Sequence, residues 1–281
     1  MVWGRLQGHV VVLGVLAAAL VVLGAGPAQA TTTAGGTVAG RPCRSGYVVL
    51  TFDDGPSRTQ TPRLLKILTD RKVPAVFFMV GSRVASAPNV ARRVAAAGFE
   101  VGNHTWSHPL LTRLSDRDVR WQLQHTRRQL RTDRVGFTRL MRPPYGGIDD
   151  RVRRLVTDLG LTPVLWTIDS RDWVGGSSRQ IAREILTHLR PHQRNVVLQH
   201  DGVTNSPASV AAVPYVVHEA RRRGYCFTRL NDAGRMVTPA TTGDHRAVAT
   251  ALAGPAPVIP AVRRYGALDP WLPFRGRTLA S

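Results

Sequence analysis

Cysteine, lysine and acidic side chains are all scarce in this chain. Two cysteines among 281 residues exclude a scaffold stapled by many disulfides, and a chain of this length can bury enough core to fold without them. Aspartate and glutamate total 18 against 38 lysines and arginines, which leaves a formal net charge of +20. Lys66 and Lys72 are the only lysines, so nearly all of that charge is arginine, a bias that genome composition alone can produce. Internal repeats, long Gly/Ser tracts and Gln/Asn tracts are also missing. What is present is the composition of a foldable protein, 43% hydrophobic with 26 Gly and 19 Pro.

The first thirty residues read as a targeting segment. Arg5 supplies a positive start, Val10 to Leu23 is an unbroken run of apolar and small residues, and Ala28-Gln29-Ala30 is a small-x-small cleavage pattern. The competing reading is an uncleaved membrane anchor, because the run is nearly long enough to span a bilayer. Gly24, Gly26 and Pro27 favour cleavage by breaking the helix just before the cut. The expected location is therefore secreted or cell-wall associated, or membrane-anchored if the segment stays. Cys43 and Cys226 would then be an even pair in an oxidising compartment, which suggests a disulfide. Two unpaired thiols are the alternative. Loss of Arg5 lowers the charge from +20 to +19, so a positive field persists. Nucleic acid is the reflex partner for such a charge, but export argues against it and favours an anionic extracellular polymer such as a cell wall. No stable protein partner is implied.

From Gly46 onward, apolar runs alternate with amphipathic stretches. Strands are expected at Tyr47–Phe52, Ala75–Val80, Glu100–Asn103, Leu140–Arg142, Pro163–Ile168, Val196–Gln199 and Tyr225–Leu230. Helices are expected at Thr61–Arg71, Pro88–Ala97, Ser115–Arg134, Asp149–Leu159, Ser178–Leu189 and Ala208–Arg223. Such alternation means α/β architecture with a parallel sheet covered by helices. Seven strands suit an incomplete or deformed β/α barrel better than an open doubly wound sheet, although periodicity alone does not separate the two. Ala240 to Ser281, rich in Ala, Pro, Gly and Thr, reads as a tail whose Trp271 and Phe274 are candidates to pack back. The expected division is a signal peptide at 1–30, a linker at 31–45, an α/β domain at 46–238 and a tail at 239–281.

Five polar clusters fall at or just past the ends of expected strands, where β/α folds build their sites. Two adjacent carboxylates, Asp53 and Asp54, repel each other unless a cation sits beside them, and a metal ion for one with an arginine for the other would satisfy both. As a lone motif, Asp-Asp-Gly-Pro could equally cap the helix expected from Thr61. His104 and His108, four apart, would present both imidazoles on one side of a helical turn. His188 and His192 share that spacing but end a helix beside Pro191, where the dipole favours imidazoles. Arg142, stiffened by Pro143-Pro144, could orient a catalytic carboxylate or be one more surface arginine. Asp172 and His200 could form an acid-oriented imidazole able to donate a proton, though beside Asp201-Gly202 the histidine could simply open a turn.

In this order, the clusters resemble the polysaccharide deacetylases of the NodB-homology type. Thr51-Phe-Asp-Asp-Gly-Pro56, His104-Thr-Trp-Ser-His-Pro109, Arg142-Pro-Pro-Tyr145, Asp169-Ser-Arg-Asp-Trp173 and Leu198-Gln-His200 match the five family motifs, and the resemblance spans about Gly46 to Thr238. It implies a deformed (β/α) barrel and a divalent ion, zinc before cobalt or another metal, held by Asp54, His104 and His108. It further implies Asp53 as general base steadied by Arg142, and His200 as general acid poised by Asp172. The backbone of Tyr145 would stabilise the oxyanion, and Trp173 and Leu198 would wall an acetyl pocket. The implied substrate is an acetylated glycan, with peptidoglycan preferred over chitin, chitooligosaccharide and acetylxylan. A glycan-binding homologue without catalysis is the reading of another class.

Overall fold

The computed structural model describes residues 43–238. The expected signal peptide, almost all of the linker, and the tail with Trp271 and Phe274 lie outside the described residues.

The described residues form eight strands and seven α-helices, mostly in alternation, with the second helix followed by the third and the fifth strand by the sixth. The strands are β1 (Gly46–Gly55), β2 (Ala75–Met79), β3 (Glu100–Asn103), β4 (Leu140–Met141), β5 (Thr162–Pro163), β6 (Ile168–Asp169), β7 (Asn195–His200) and β8 (Tyr225–Phe227). The helices are α1 (Gln60–Asp70), α2 (Gly81–Ser86), α3 (Pro88–Ala96), α4 (Asp116–Thr132), α5 (Asp150–Asp158), α6 (Ser178–His188) and α7 (Ser206–Arg222). Every strand pairing is parallel, in the order β5-β4-β3-β2-β1-β7-β6, and β8 pairs with the first residues of β1. Three helices start on side-chain caps visible in the sequence: Ser115 for α4, Asp149 for α5, and Ser177 with Gln180 as a capping box for α6.

The strand expected at Pro163–Ile168 is two strands, and this correction decides the architecture. β5 and β6 lie at opposite ends of the sheet order yet follow each other in the chain. Across seven strands spaced at about 4.8 Å, a flat sheet would hold its edges roughly 29 Å apart. The five residue steps from Pro163 to Ile168 reach at most about 17 Å. The sheet must therefore curl until its edges nearly meet, which makes a deformed half-barrel and rules out the open doubly wound alternative. Edge residues bond to their own sides of the gap: Val164 N–H donates to Met141 O at 2.8 Å and Thr167 N–H to Val196 O at 2.9 Å.

Strand alternation sorts the core into two faces. Val48, Leu50 and Phe52 of β1, Phe77 of β2 and Val197 of β7 pack outward beneath the helices, in a cluster with Leu64, Leu68, Ile185, Val213 and Val217. Tyr47 and Val49, Val76 and Phe78, and Val196 point into the barrel with Leu140 and Leu230. By the same period, Thr51, Asp53, Leu198 and His200 continue the inner face toward the C-terminal mouth. Cys43 and Cys226 are joined by a disulfide that ties the start of β1 to β8 at the opposite end of the barrel.

Candidate active site

Adjacent residues of a regular strand face opposite ways, so Asp53 and Asp54 should not share a site. The pairing of β1 with β2 shifts register between Asp53 and Gly55, leaving Asp54 as an extra residue with φ of 70°. This bulge re-aims Asp54 so that both carboxylates reach the mouth. α1 has Thr59 at its N-cap and no capping side chain, so the Asp-Asp pair is not a helix cap.

His104 and His108 do not lie on a helical turn, as their spacing suggested. They flank a loop in which Thr105 and His108 adopt left-handed φ of 65° and 61°. Hydrogen bonds hold that loop in place of helical ones. Asn103 Oδ1 accepts from Thr105 N at 2.9 Å, Thr105 Oγ1 from His108 N at 3.0 Å, and Gln122 Oε1 of α4 from Trp106 N and Ser107 N at 2.8 and 3.0 Å. The main chain of α2, a two-turn helix that the apolar pattern did not reveal, closes the other side: Gly81 N–H donates to Thr105 O and Ser82 N–H to Trp106 O. Asp54, Thr105, His108 and Tyr145 are four of the eight described non-glycine residues with positive φ, and their clustering here marks where backbone strain serves side-chain placement.

The three expected ligands converge. Asp54, His104 and His108 each present a ligand atom, all within 4.8 Å of one another. Asp54 Oδ1 lies 3.4 Å from His104 Nε2 and 3.2 Å from His108 Nε2. These separations match the edge of a tetrahedral shell with bonds of about 2.0–2.1 Å, roughly 3.4 Å. His104 Nδ1 faces Arg142 O at 2.7 Å, and since a carbonyl only accepts, that nitrogen carries the proton. In neutral His104 the Nε2 lone pair then faces a carboxylate oxygen, a contact that a cation would relieve. Burial pushes His108 down to about 4 against the pull of Asp54, which keeps it in the neutral form a metal requires. Burial alone would raise Asp54, but the imidazoles of His108, His104 and His200 hold its carboxyl well below the usual range. The donor set, two imidazoles and a carboxylate, fits a divalent cation.

Arg142 is fully buried and is no surface arginine. Its Nη1 donates to Asp53 Oδ1 at 2.8 Å and to Thr51 Oγ1 at 2.6 Å, and its Nε to Val164 O at 3.1 Å. Its guanidinium lies 4.3 Å from the ring centre of Phe78. Opposite, Asp172 takes both groups of His200: Nδ1–H donates to Oδ1 and the backbone N–H to Oδ2, each at 2.7 Å. Burial would lower the His200 imidazole, but the Asp172 carboxylate, aided by Asp54 and Asp53, pushes it up to about 10.

Asp53, Asp54, His104, His108 and His200 line one cavity of about 470 Å³, within the size range of small-ligand sites, while Arg142 and Asp172 are fully buried behind them. Tyr145, Trp173 and Leu198 line it as the motifs implied, but it is far larger than an acetyl group, and Trp173 is 44% exposed at its rim. His188 and His192 take no part in it.

Sequence reasoning missed three contributors. Trp166, in the short segment between β5 and β6, is buried on the cavity wall. Arg83 of α2 spans the mouth, its Nη1 donating to Asp54 O at 2.8 Å and Gly202 O at 2.5 Å. A Cβ at Gly202 would collide with this clamp, which accounts for glycine there. Asp201 is fully buried beneath, bonded by the Thr61 hydroxyl and packed against Gly55. Among 36 arginines, nothing in the sequence distinguished Arg83.

A family model described as polysaccharide deacetylase matches residues 40–164. A chitooligosaccharide deacetylase from Bradyrhizobium sp. (strain ANU 289) is 36% identical over 190 residues, 63% of this chain and 86% of that protein. A peptidoglycan-N-acetylglucosamine deacetylase from Bacillus cereus is 33% identical, over 67% of this chain and 68% of its own. Among solved structures, a family 4 carbohydrate esterase from Streptomyces lividans in complex with acetate superposes with a TM-score of 0.62 at 33% identity, covering 69% of this chain and 98% of that one. Sequence likeness over most of these relatives' length thus coincides with five strand-end clusters gathered at one mouth, and the chain belongs to the polysaccharide deacetylase family.

Proposed function

We propose that the protein is an exported, metal-dependent hydrolase that removes N-acetyl groups from a glycan containing N-acetylglucosamine, with peptidoglycan as its substrate. One observation carries the chemistry: a carboxylate fixed by a buried arginine, an imidazole fixed by a second carboxylate and the Asp-His-His set all line one cavity. A divalent cation at Asp54, His104 and His108, zinc by preference for this donor set, supplies Lewis acidity toward the acetyl carbonyl and makes water more acidic.

Asp53, held by Arg142, takes a proton from water as its oxygen bonds to the acetyl carbon. The backbone N–H of Tyr145 stabilises the developing oxyanion, a contribution of about 3 kcal/mol for such a donor. His200 gives its Nε2 proton to the sugar nitrogen as the carbon–nitrogen bond breaks, while its Nδ1 keeps its own proton, hydrogen-bonded to the Asp172 carboxylate. Acetate and a free amine result. The acetate in the Streptomyces esterase structure is consistent with this product.

The substrate rests on export and on the excess of positive charge, which suits a wall carrying anionic polymers. A chitooligosaccharide substrate is the second reading, favoured by the 36% identity to the Bradyrhizobium enzyme. Mass spectrometry of purified peptidoglycan, N-acetylglucosamine oligomers and acetylated xylan, each digested after incubation with the protein, separates these readings. Loss of acetyl groups from the wall sugars is expected. Deacetylation of oligomers alone would select the second reading, and release from xylan alone would make the protein an O-acetyl esterase.

A further inference from the structure

Trp121 lies on α4 outside the cavity and is 47% exposed. The buried side of α4 is formed by Val119, Gln122, Leu123, Thr126 and Leu130, so this indole is no part of the core. It is nevertheless ordered by its neighbours. It stacks on His125 one turn later, ring centres 4.7 Å apart and planes at 12°. His125 in turn meets the edge of Trp106 at 4.2 Å and 83°. Two indoles thus hold one imidazole: Trp106 also stands edge-on to Trp121 at 6.3 Å and 79°, and about half of the Trp121 surface stays open to solvent.

Trp106 sits between the two metal-ligand histidines, and Gln122, next to Trp121, bonds the backbone of that same loop. The aromatic cluster therefore lies beside the loop that carries the proposed ligands, on its outer side. Helical spacing puts Arg117 and Arg128 on the Trp121–His125 side, and Gln124 is also exposed nearby. A flat apolar face fringed by hydrogen-bond donors is the surface that a pyranose ring matches, with axial C–H groups against the indole and hydroxyl or acetamido oxygens against the donors. We infer that Trp121, braced by His125 and Trp106, is a sugar-stacking subsite that binds the substrate glycan strand beyond the residue being deacetylated.

This inference rests on the glycan reading of the site, and its test separates the two. Trp121→Ala should leave kcat/KM on an N-acetylglucosamine disaccharide unchanged while raising KM on the hexasaccharide about five- to tenfold, the factor of one ring contact, with kcat unaltered. Trp121→Phe should recover most of the loss and also serves if the alanine variant folds poorly. Calorimetric titration of the hexasaccharide into Asp53→Asn protein, with and without Trp121→Ala, reads binding without turnover. Equal hexasaccharide affinity and KM with and without Trp121 would overturn the subsite. So would an equal loss on disaccharide and hexasaccharide, which would make Trp121 merely structural. Absence of deacetylation by the unaltered protein would instead count against the proposed function, with the titration still deciding the subsite.

Discussion

Asp172 binds both the side chain and the backbone of His200, with Nδ1 and N each 2.7 Å from a carboxylate oxygen. This double hold keeps the imidazole protonated through the neutral range, since Asp172 and the nearby Asp54 and Asp53 overcome burial and push it up to about 10. The folded pKa is raised, so the stability from the pair is complete below about 6.5 and is lost as pH rises toward 10. A cation bound at Asp54 would offset part of that pull, so the alkaline limb of activity is expected below 10. Asp172→Asn should move that limb of the kcat/KM profile to lower pH and reduce its plateau; an unmoved limb would refute His200 as the proton donor.

Asp53 and the ligand residues should separate cleanly in their effects. Asp53→Asn should retain the metal, measured by elemental analysis after gel filtration, and lower kcat by about 10²- to 10⁴-fold. His104→Ala or His108→Ala should lose metal and turnover together. Full metal content in both histidine variants would disprove the ligand assignment.

Arg83 joins the end of β1 at Asp54 to the loop following His200 through two carbonyls. Arg83→Ala strands both acceptors and should cost about 1–3 kcal/mol in urea denaturation. Arg83→Lys should restore part of it. Unchanged midpoints would show that the clamp contributes nothing.

Burial pushes Asp201 up to about 7 against the hydrogen bond from Thr61, with the Asp54 charge assisting. An acid with a raised folded pKa stays protonated in the native state while the unfolded chain ionises near 4, so its contribution to stability falls as pH rises from about 4 to 7. Unfolding measurements across this window should show stability changing with pH by a less negative slope in Asp201→Asn than in the parent protein, whatever His108 adds to both. Identical slopes would mean that Asp201 is already ionised in the fold.

The Cys43–Cys226 bond closes a loop with a sequence separation of 183. Loop entropy for such a length sets a limit near 5 kcal/mol, so the double serine variant should lose about 2–5 kcal/mol. Denaturation of the parent with and without reductant should show the same difference.

Much of the catalytic machinery was legible because each polar cluster follows an apolar strand, and side chains at such ends must face the mouth of a β/α fold. Asp53, Leu198 and His200 illustrate this: strand alternation alone puts them on the inner face with Val49 and Val196. Arg83 and Trp166 were illegible for the opposite reason. An arginine among many and a tryptophan in an apolar run carry no local signal, and their roles arise from which loops meet them.

The sequence by itself determined the alternation of strands and helices, and with it a parallel sheet, since periodicity and caps act within a few residues. Only the tertiary structure decided that the sheet curls, because that depends on how short a segment joins β5 to β6 across the gap. Tertiary pairing likewise decided that Asp53 and Asp54 face the same way: the bulge exists only where β1 meets β2 out of register. The loop between His104 and His108 took its shape from Gln122 and α2, partners too distant in the chain for any local pattern to announce.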